Sequence, residues 1–304
     1  MDPGRRKVLR TLGGFWTLLA MNSGMGQDNK IMTRKIPSTG EDIPAVGLGT
    51  WQVFDAGGDA AARAPLRAVL AAFAKAGGKM IDSSPMYGSA ESVVGDLVAE
   101  LGLRDKLFIA TKVWTSGRED GIRQMETSFR RLRVKQMDLM QIHNLKDAGV
   151  HTRTLLDWKA KGRIRYHGIT HYTSSAYAEV ETRLKAGKYD FLQINYSLAE
   201  RESEKRLLSI AKDRNIAVIA NRPFAEGAMF RRVRGKPLPP WAGEIGVVSW
   251  AQFFLKWIVG HPAITCVIPG TGKPEHIADN VAAGFGALPG EAMRARMAKY
   301  FNTL

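Results

Sequence analysis

Residues 80–88 read MIDSSPMYG: a short apolar run, an aspartate at 82 where the run ends, and a tyrosine at 87. The run does not alternate, which marks a strand buried on both faces, as in a parallel sheet covered by helices. Seven runs of the same kind share the chain with it. One spans Ala45–Gly49, and LFIATKV, MDLMQIH, IRYHGIT, FLQINYS, AVIANRP and TCVIPGT begin near residues 107, 137, 164, 191, 217 and 265. Their spacing is about thirty residues, except for a final gap of 48. Between them lie amphipathic segments such as APLRAVLAAFAKAG and VSWAQFFLKWIVG, several ending in Gly or Asn as a helix C-terminus does. Eight strand–helix units in about 250 residues predict a (β/α)8 TIM barrel. KIPSTGEDIP ahead of the first strand predicts an N-terminal β-hairpin with its turn at Ser38–Asp42. A doubly wound open sheet is the alternative, disfavoured because no G-x-G-x-x-G follows the first strand. No linker rich in Pro, Ser or Gly interrupts the pattern, so residues 29–304 read as a single domain.

The totals narrow the class. With 304 residues and 45% apolar content the chain can bury a large core. Its single cysteine, Cys266, excludes an intrachain disulfide framework and reads as a small core residue. Net charge is +15. A field of that sign attracts nucleic acid, anionic surfaces or phosphorylated ligands. No nucleic-acid module or aromatic-basic motif accompanies it, so the charge reads as a solvated surface and no nucleic-acid partner is expected.

At the N-terminus, GRRKVLRTLGGFWTLLAMNSGMG has a basic start and an apolar stretch from Thr11 to Met21. The stretch is too short to span a bilayer and suits a signal-peptide core, so an integral membrane protein is not expected. The pair Arg5–Arg6, followed by Leu9 and a weakly apolar Gly-containing run, resembles a twin-arginine export signal. That resemblance implies residues 1–28 as a signal, the twin-arginine machinery as a partner and a periplasmic location. The alternative is a basic tail on a cytoplasmic protein.

In a barrel of this kind the active site lies at the C-terminal ends of the strands. Residues at those exits are Asp82 with Tyr87, then Lys112, then His143. Singly, each has an ordinary explanation: a loop cap, a snorkelling lysine, a core histidine. Together at successive exits they make a proton relay. A free phenol, with a pKa near ~10, is a poor proton donor at neutral pH. A neighbouring ammonium favours the phenolate and is expected to lower that pKa, and Asp82 supplies the counter-charge that keeps the lysine protonated. His143 can hydrogen-bond a substrate oxygen. It lacks a second ligand at metal-binding spacing, so no metal is expected.

These residues, in IDSSPMYG, ATKVW and LMQIHN, resemble the tetrad of the aldo-keto reductase family, and the similarity runs from about Lys35 to Gly284. The resemblance implies hydride transfer from NADP(H), with NAD(H) left open, to a small aldehyde or ketone. Tyr87 is then the general acid, Lys112 and Asp82 its tuners, and His143 the orienter of the carbonyl. It further implies Gly49 and Thr50 beside the cofactor, and Trp51 and Trp114 beside the substrate. Thr170, His171, Gln193 and Asn221 fall at the nicotinamide, and Arg222 near the pyrophosphate. Gly270, Thr271, Lys273, His276, Asp279 and Asn280, in IPGTGKPEHIADN, fall at the adenosine end. The chain departs from the family pattern at His171, at Asn221 (where a tyrosine usually stacks on the nicotinamide), at Gly270 and at His276. Two other readings follow from the same residues: a barrel that binds the cofactor without turnover, as sensor or partner subunit, and a Schiff-base aldolase with Lys112 as nucleophile. The chain ends soon after a closing helix in PGEAMRARMAKYFNTL, so an open site is expected.

Overall fold

The computed structural model describes residues 30–304. The twin-arginine-like segment, residues 1–28, lies outside the described residues.

The strands are β1 (Thr33–Lys35), β2 (Asp42–Pro44), β3 (Leu48–Gly49), β4 (Met80–Asp82), β5 (Phe108–Val113), β6 (Met137–His143), β7 (Ile164–Thr170), β8 (Phe191–Asn195), β9 (Ala217–Asn221) and β10 (Cys266–Val267). The helices are α1 (Ala60–Lys75), α2 (Ala90–Glu100), α3 (Arg118–Arg131), α4 (Ala148–Ala160), α5 (Tyr177–Ala186), α6 (Leu207–Asp213), α7 (Ala228–Arg232), α8 (Trp250–Val259), α9 (Pro274–Ala282) and α10 (Glu291–Thr303). β1 and β2 form the antiparallel hairpin, and β3 to β10 pair in sequence order as one parallel sheet. Two bridges, Val46 with Val267 and Gly49 with Gly270, join its ends. This closure decides for the barrel and against the open sheet.

Every run read from the sequence became a barrel strand. The first and last are shorter than expected, two residues each, because beyond them the ring is held by single bridges. The long final gap holds α7, a 3-10 turn at Pro240–Ile245 and α8. Tail residues 291–303 form α10, the expected closing helix.

Side chains on each strand point alternately outward and inward. Outward residues such as Ile81, Ile109, Met140, Ile142, Ile169 and Ile194 pack under the helices. Inward residues at the lower end, among them Met80, Phe108, Leu139, Tyr166 and Phe191, form a second, separate cluster. The hairpin closes that end: Ile36 and Ile43 join the inner cluster, and Tyr166 shares its hydroxyl with Thr39 and Glu41 at 2.8 and 2.5 Å. Cys266 is buried there, and burial pushes its thiol pKa up.

Further up the same inward rows the residues turn polar: Asp82 above Met80, Lys112 above Ala110, Gln141 and His143 above Leu139, and Gln193 above Phe191. The barrel is thus an apolar plug with a polar upper layer. Outside, Lys256 is 1% exposed and its Nζ donates to the carbonyls of Ile245, Phe285 and Ala287 at 2.8, 2.8 and 2.9 Å. That one ammonium ties the turn before α8 to the chain between α9 and α10.

Gly95 lies where α2 crosses the end of α3, and a Cβ there would overlap the Arg131 carbonyl oxygen. Alanine favours an isolated helix by roughly 1 kcal/mol over glycine, but backbone against backbone cannot yield. Gly95→Ala is expected to lower unfolding free energy in urea by about 1–3 kcal/mol. An unchanged or raised midpoint would show that the two helices can separate freely.

Candidate active site

Lys112, at the upper end of β5, has no exposed surface. Its Nζ donates to Asp82 Oδ2 at 2.6 Å and to the Ser83 carbonyl at 2.7 Å, and stands 4.8 Å from the centroid of the Tyr87 ring. Burial works against the charge, but the Asp82 carboxylate and the phenol outweigh it and hold the lysine pKa above its ordinary value. The amine stays an ammonium, which is unsuited to act as a nucleophile on a carbonyl.

Asp82 is held from its other side as well. Gln141 and Gln193 donate their amide nitrogens to Oδ1 at 3.0 and 2.8 Å. Gln141 was not among the residues expected from the sequence; its signal was its place two residues before His143 on the same inward row. Gln193, expected at the nicotinamide, has its nitrogen directed to Asp82, while its Oε1 accepts from Thr170 at 3.2 Å and Asn221 at 3.4 Å. Thr50 Oγ1 donates to the Asp82 carbonyl at 3.0 Å and lies 3.0 Å from Ser83 Oγ, fixing the start of the loop that carries Tyr87.

The Tyr87 ring meets His143 edge-on with centroids 5.9 Å apart. All four residues expected to share the site are therefore together. One expectation is corrected: burial pushes the Tyr87 pKa above its ordinary value of 10, and the pull of Lys112 only partly offsets this. The ring is a phenol at rest. His143 is pushed down to about 3, by burial first and then by the charge of Lys112 and by His171. Its Nδ1 lies 3.1 Å from Ser84 Oγ, which accepts from the Met86 amide at 3.3 Å. Where the Ser84 hydroxyl donates to Nδ1, the ring hydrogen sits on Nε2.

Around this cluster the remaining expected residues divide. Asn221 Nδ2 donates to the His171 carbonyl at 3.1 Å, and its Oδ1 is buried with no partner among the described residues. The His171 Nδ1 accepts from the Tyr172 amide at 3.0 Å, and the two rings stack. Arg222 turns to Glu200, at 3.1 Å, and to Glu226. Asp279 accepts from Ser249 at 2.7 Å and Gln252 at 2.6 Å and so braces α9 on the start of α8, and Asn280 is buried. At the start of α9, Thr271 Oγ1 accepts from the Lys273 amide at 3.1 Å. Pro274 opens the helix with no side-chain cap, and the amides of Glu275 and His276 donate to no backbone carbonyl among the described residues. With Lys273 and His276 exposed beside them, these groups suit an anion. Gly49 and Gly270 face each other at the bridge, where a Cβ on Gly270 would come within 3.2 Å of the Gly49 carbonyl.

Two cavities, of about 640 and 850 Å³, lie elsewhere. They are lined by residues such as Lys79, Arg104 and Asp138, and His167, Lys188 and Asp190, at the lower end of the barrel. The acid–base cluster is at the upper end, and the chemistry follows the cluster.

The chain is similar to known proteins along most of its length. The sequence profile of the aldo/keto reductase family matches residues 45–299. The chain is 30% identical over 249 residues to the methylglyoxal reductase YeaE of Escherichia coli, covering 79% of this chain and 85% of that one. It is 24% identical over 308 residues to an NADH-specific methylglyoxal reductase of Escherichia coli, covering 82% and 93%. Among solved structures it is similar to an aldo/keto reductase from Klebsiella pneumoniae in complex with NADP and acetate. The TM-score is 0.73, the identity 27%, and the coverage 86% of this chain and 93% of that one.

The depressed His143 pKa makes stability depend on pH. An unfolded histidine titrates near 6.5 and the native one near 3, so between those values the unfolded chain holds more protons. Stability is therefore lost as pH falls through that window, with a slope approaching ~1.4 kcal/mol per pH unit. In urea titrations from pH 6.5 to 4, His143→Gln should flatten the curve relative to wild type. Parallel curves would mean that His143 is as solvated in the native state as in the unfolded one.

Proposed function

The chain belongs to the aldo/keto reductase family, and we propose that Tyr87, Lys112, Asp82 and His143 carry out its NAD(P)H-dependent reduction of an aldehyde or ketone to an alcohol. The observation that carries this reading is the fully buried ammonium of Lys112 held between Asp82 and the Tyr87 ring.

The residues fit a nicotinamide dinucleotide. The unpartnered Asn221 Oδ1 suits the amide hydrogens of a carboxamide, and the free amides of Glu275 and His276 with Lys273 suit a phosphate. Gly49, Thr50, Thr170, His171, Gln193, Arg222, Gly270, Thr271, Asp279 and Asn280 complete the proposed surround. Of these, Gln193 acts through Asp82, and Arg222 reaches an anion only by giving up Glu200. NADP(H), bound in the similar Klebsiella pneumoniae structure, is the cofactor proposed, and NAD(H), named for one relative, is the alternative.

When bound, the reduced nicotinamide supplies the hydride. His143 is neutral; in the tautomer in which Ser84 donates to Nδ1, its Nε2–H donates to the carbonyl oxygen and turns the carbonyl toward Tyr87. Tyr87, kept as a phenol by burial, hands its proton to that oxygen as negative charge develops there. The phenolate left behind faces the Lys112 ammonium, whose attraction grows from that for a neutral ring to that for a full opposite charge as the proton moves. The pair thus stabilises the transition state more than the resting site. Asp82, clamped by Gln141 and Gln193, keeps Lys112 charged without reaching the substrate.

Tyr87→Phe should lower kcat by at least about a hundredfold while leaving the NADPH Kd, read by tryptophan fluorescence, within a factor of about two. Full turnover by this variant would remove Tyr87 from the mechanism.

The Arg5–Arg6 motif supports a second proposal, that the protein leaves the cytoplasm folded through the twin-arginine route and works in the periplasm. A folded barrel could carry its cofactor with it. Replacing both arginines by lysine should retain the protein in the cytoplasmic fraction; unchanged fractionation would make residues 1–28 a plain basic tail.

A further inference from the structure

Tyr87 sits on the loop between β4 and α2, and the loop leaving β3 grips that stretch at both ends. The first grip is the Thr50 hydroxyl on the Asp82 carbonyl. The second lies just past the phenol. Asp55 Oδ1 accepts from the Ser89 amide at 2.8 Å and from the Ser89 hydroxyl at 2.7 Å. The Ser89 oxygen in turn accepts from the Gly57 amide at 2.8 Å. Three short bonds thus sew the two loops together two residues beyond Tyr87.

The residues around this contact are shaped to it. Gly88 has a φ of 58°, and a Cβ there would lie 2.2 Å from Asp55 Oδ2, so glycine is what admits the carboxylate. Ser89 stands at the N-cap of α2, where a serine hydroxyl ordinarily accepts from a helix amide. Here it makes no capping bond and is turned to Asp55 and Gly57 instead. The Ser89 amide, and then its hydroxyl, hold the Asp55 pKa below its ordinary value. Asp55 is anchored in its turn. Phe54 beside it has no exposed surface. From behind, Arg63 of α1 donates to the Gly57 carbonyl at 2.6 Å and to Asp96 of α2 at 3.0 Å.

The phenol depends on such a hold. Lys112 is fixed by Asp82 and Ser83, so the 4.8 Å between its Nζ and the Tyr87 ring is set by where the loop places the ring. The backbone bonds of Tyr87 itself run only to Ser84 and Ala90 on the same stretch. We propose that Asp55 is a positioning residue for Tyr87: by holding Ser89 it keeps the phenol against the Lys112 ammonium. It acts through the loop and not on the reacting atoms. The inference rests on the reductase reading for its effect on turnover.

The test uses the full-length protein with NADPH and methylglyoxal. Asp55→Ala should lower kcat about tenfold or more, with KM and the NADPH Kd held within about twofold, since a small misplacement of a reacting group acts on the chemical step. Asp55→Asn keeps an oxygen able to accept both bonds and should restore kcat to within about threefold of wild type. Ser89→Ala, which keeps the amide bond alone, should fall between the two. Wild-type kcat in Asp55→Ala or in Ser89→Ala, or an Asp55→Asn as slow as Asp55→Ala, would overturn the proposal. The NMR signal of an isotope-labelled Tyr87 ring gives a readout independent of turnover. It should move in Asp55→Ala and stay in place in Asp55→Asn. If the wild type reduces no aldehyde, the reductase reading fails alone and the ring signal decides: a Tyr87 ring unmoved in Asp55→Ala sinks the inference.

Discussion

An ammonium with no exposed surface governs the upper half of this barrel. Taking Lys112 out of water costs several kcal/mol, and removing its partner from such a pair typically costs about 3–5 kcal/mol more. The fold meets this demand through backbone and side chains at once, with the Ser83 carbonyl and the Asp82 carboxylate both on Nζ. The demand then propagates. Asp82 has a second oxygen in the same dry interior, and it is satisfied by amides from β6 and β8. A single buried charge thereby sets the residue type at the upper ends of four strands.

The lower half makes that arrangement effective. The aromatic and aliphatic plug, sealed by the hairpin, keeps water away from beneath the polar layer. In the resulting low dielectric, the ammonium acts strongly on the phenol, and the same dryness keeps the phenol protonated and the imidazole neutral. Burial and charge push the tyrosine in opposite directions. Reasoning from the ammonium alone gives the wrong sign for the resting state, because taking the phenolate out of water costs more than the ammonium returns.

Strand positions were legible because doubly buried strands leave unbroken apolar runs, and the chain repeats them at regular spacing. The four residues Asp82, Tyr87, Lys112 and His143 were legible because strand exits in a barrel share one end. What could not be read were partnerships between distant residues. Nothing near Asp279 in sequence announces Ser249 and Gln252, and nothing near Arg222 announces its grip on Glu200 across the loop after β8. Gln141 was within reach, since inward rows advance by two, yet glutamine is polar without being reactive and attracted no attention. The helix α4 has a weakly amphipathic sequence and owes its place to packing, with Leu155 and Trp158 buried.

The ring of strands is not equally strong around its circumference. Between β10 and β3 the backbone bonds are those from Gly47, Gly49 and Val267, at 2.8, 3.0 and 2.9 Å, and two glycines face each other at the upper end. This seam is flanked by the loop leaving β3 and by the anion-suited start of α9. A dinucleotide lying across both would act as a rivet where the hoop has its fewest staves. Occupancy and mechanical integrity of the cylinder would then rise and fall together, tightening the molecule in proportion to how well it is fed with ligand.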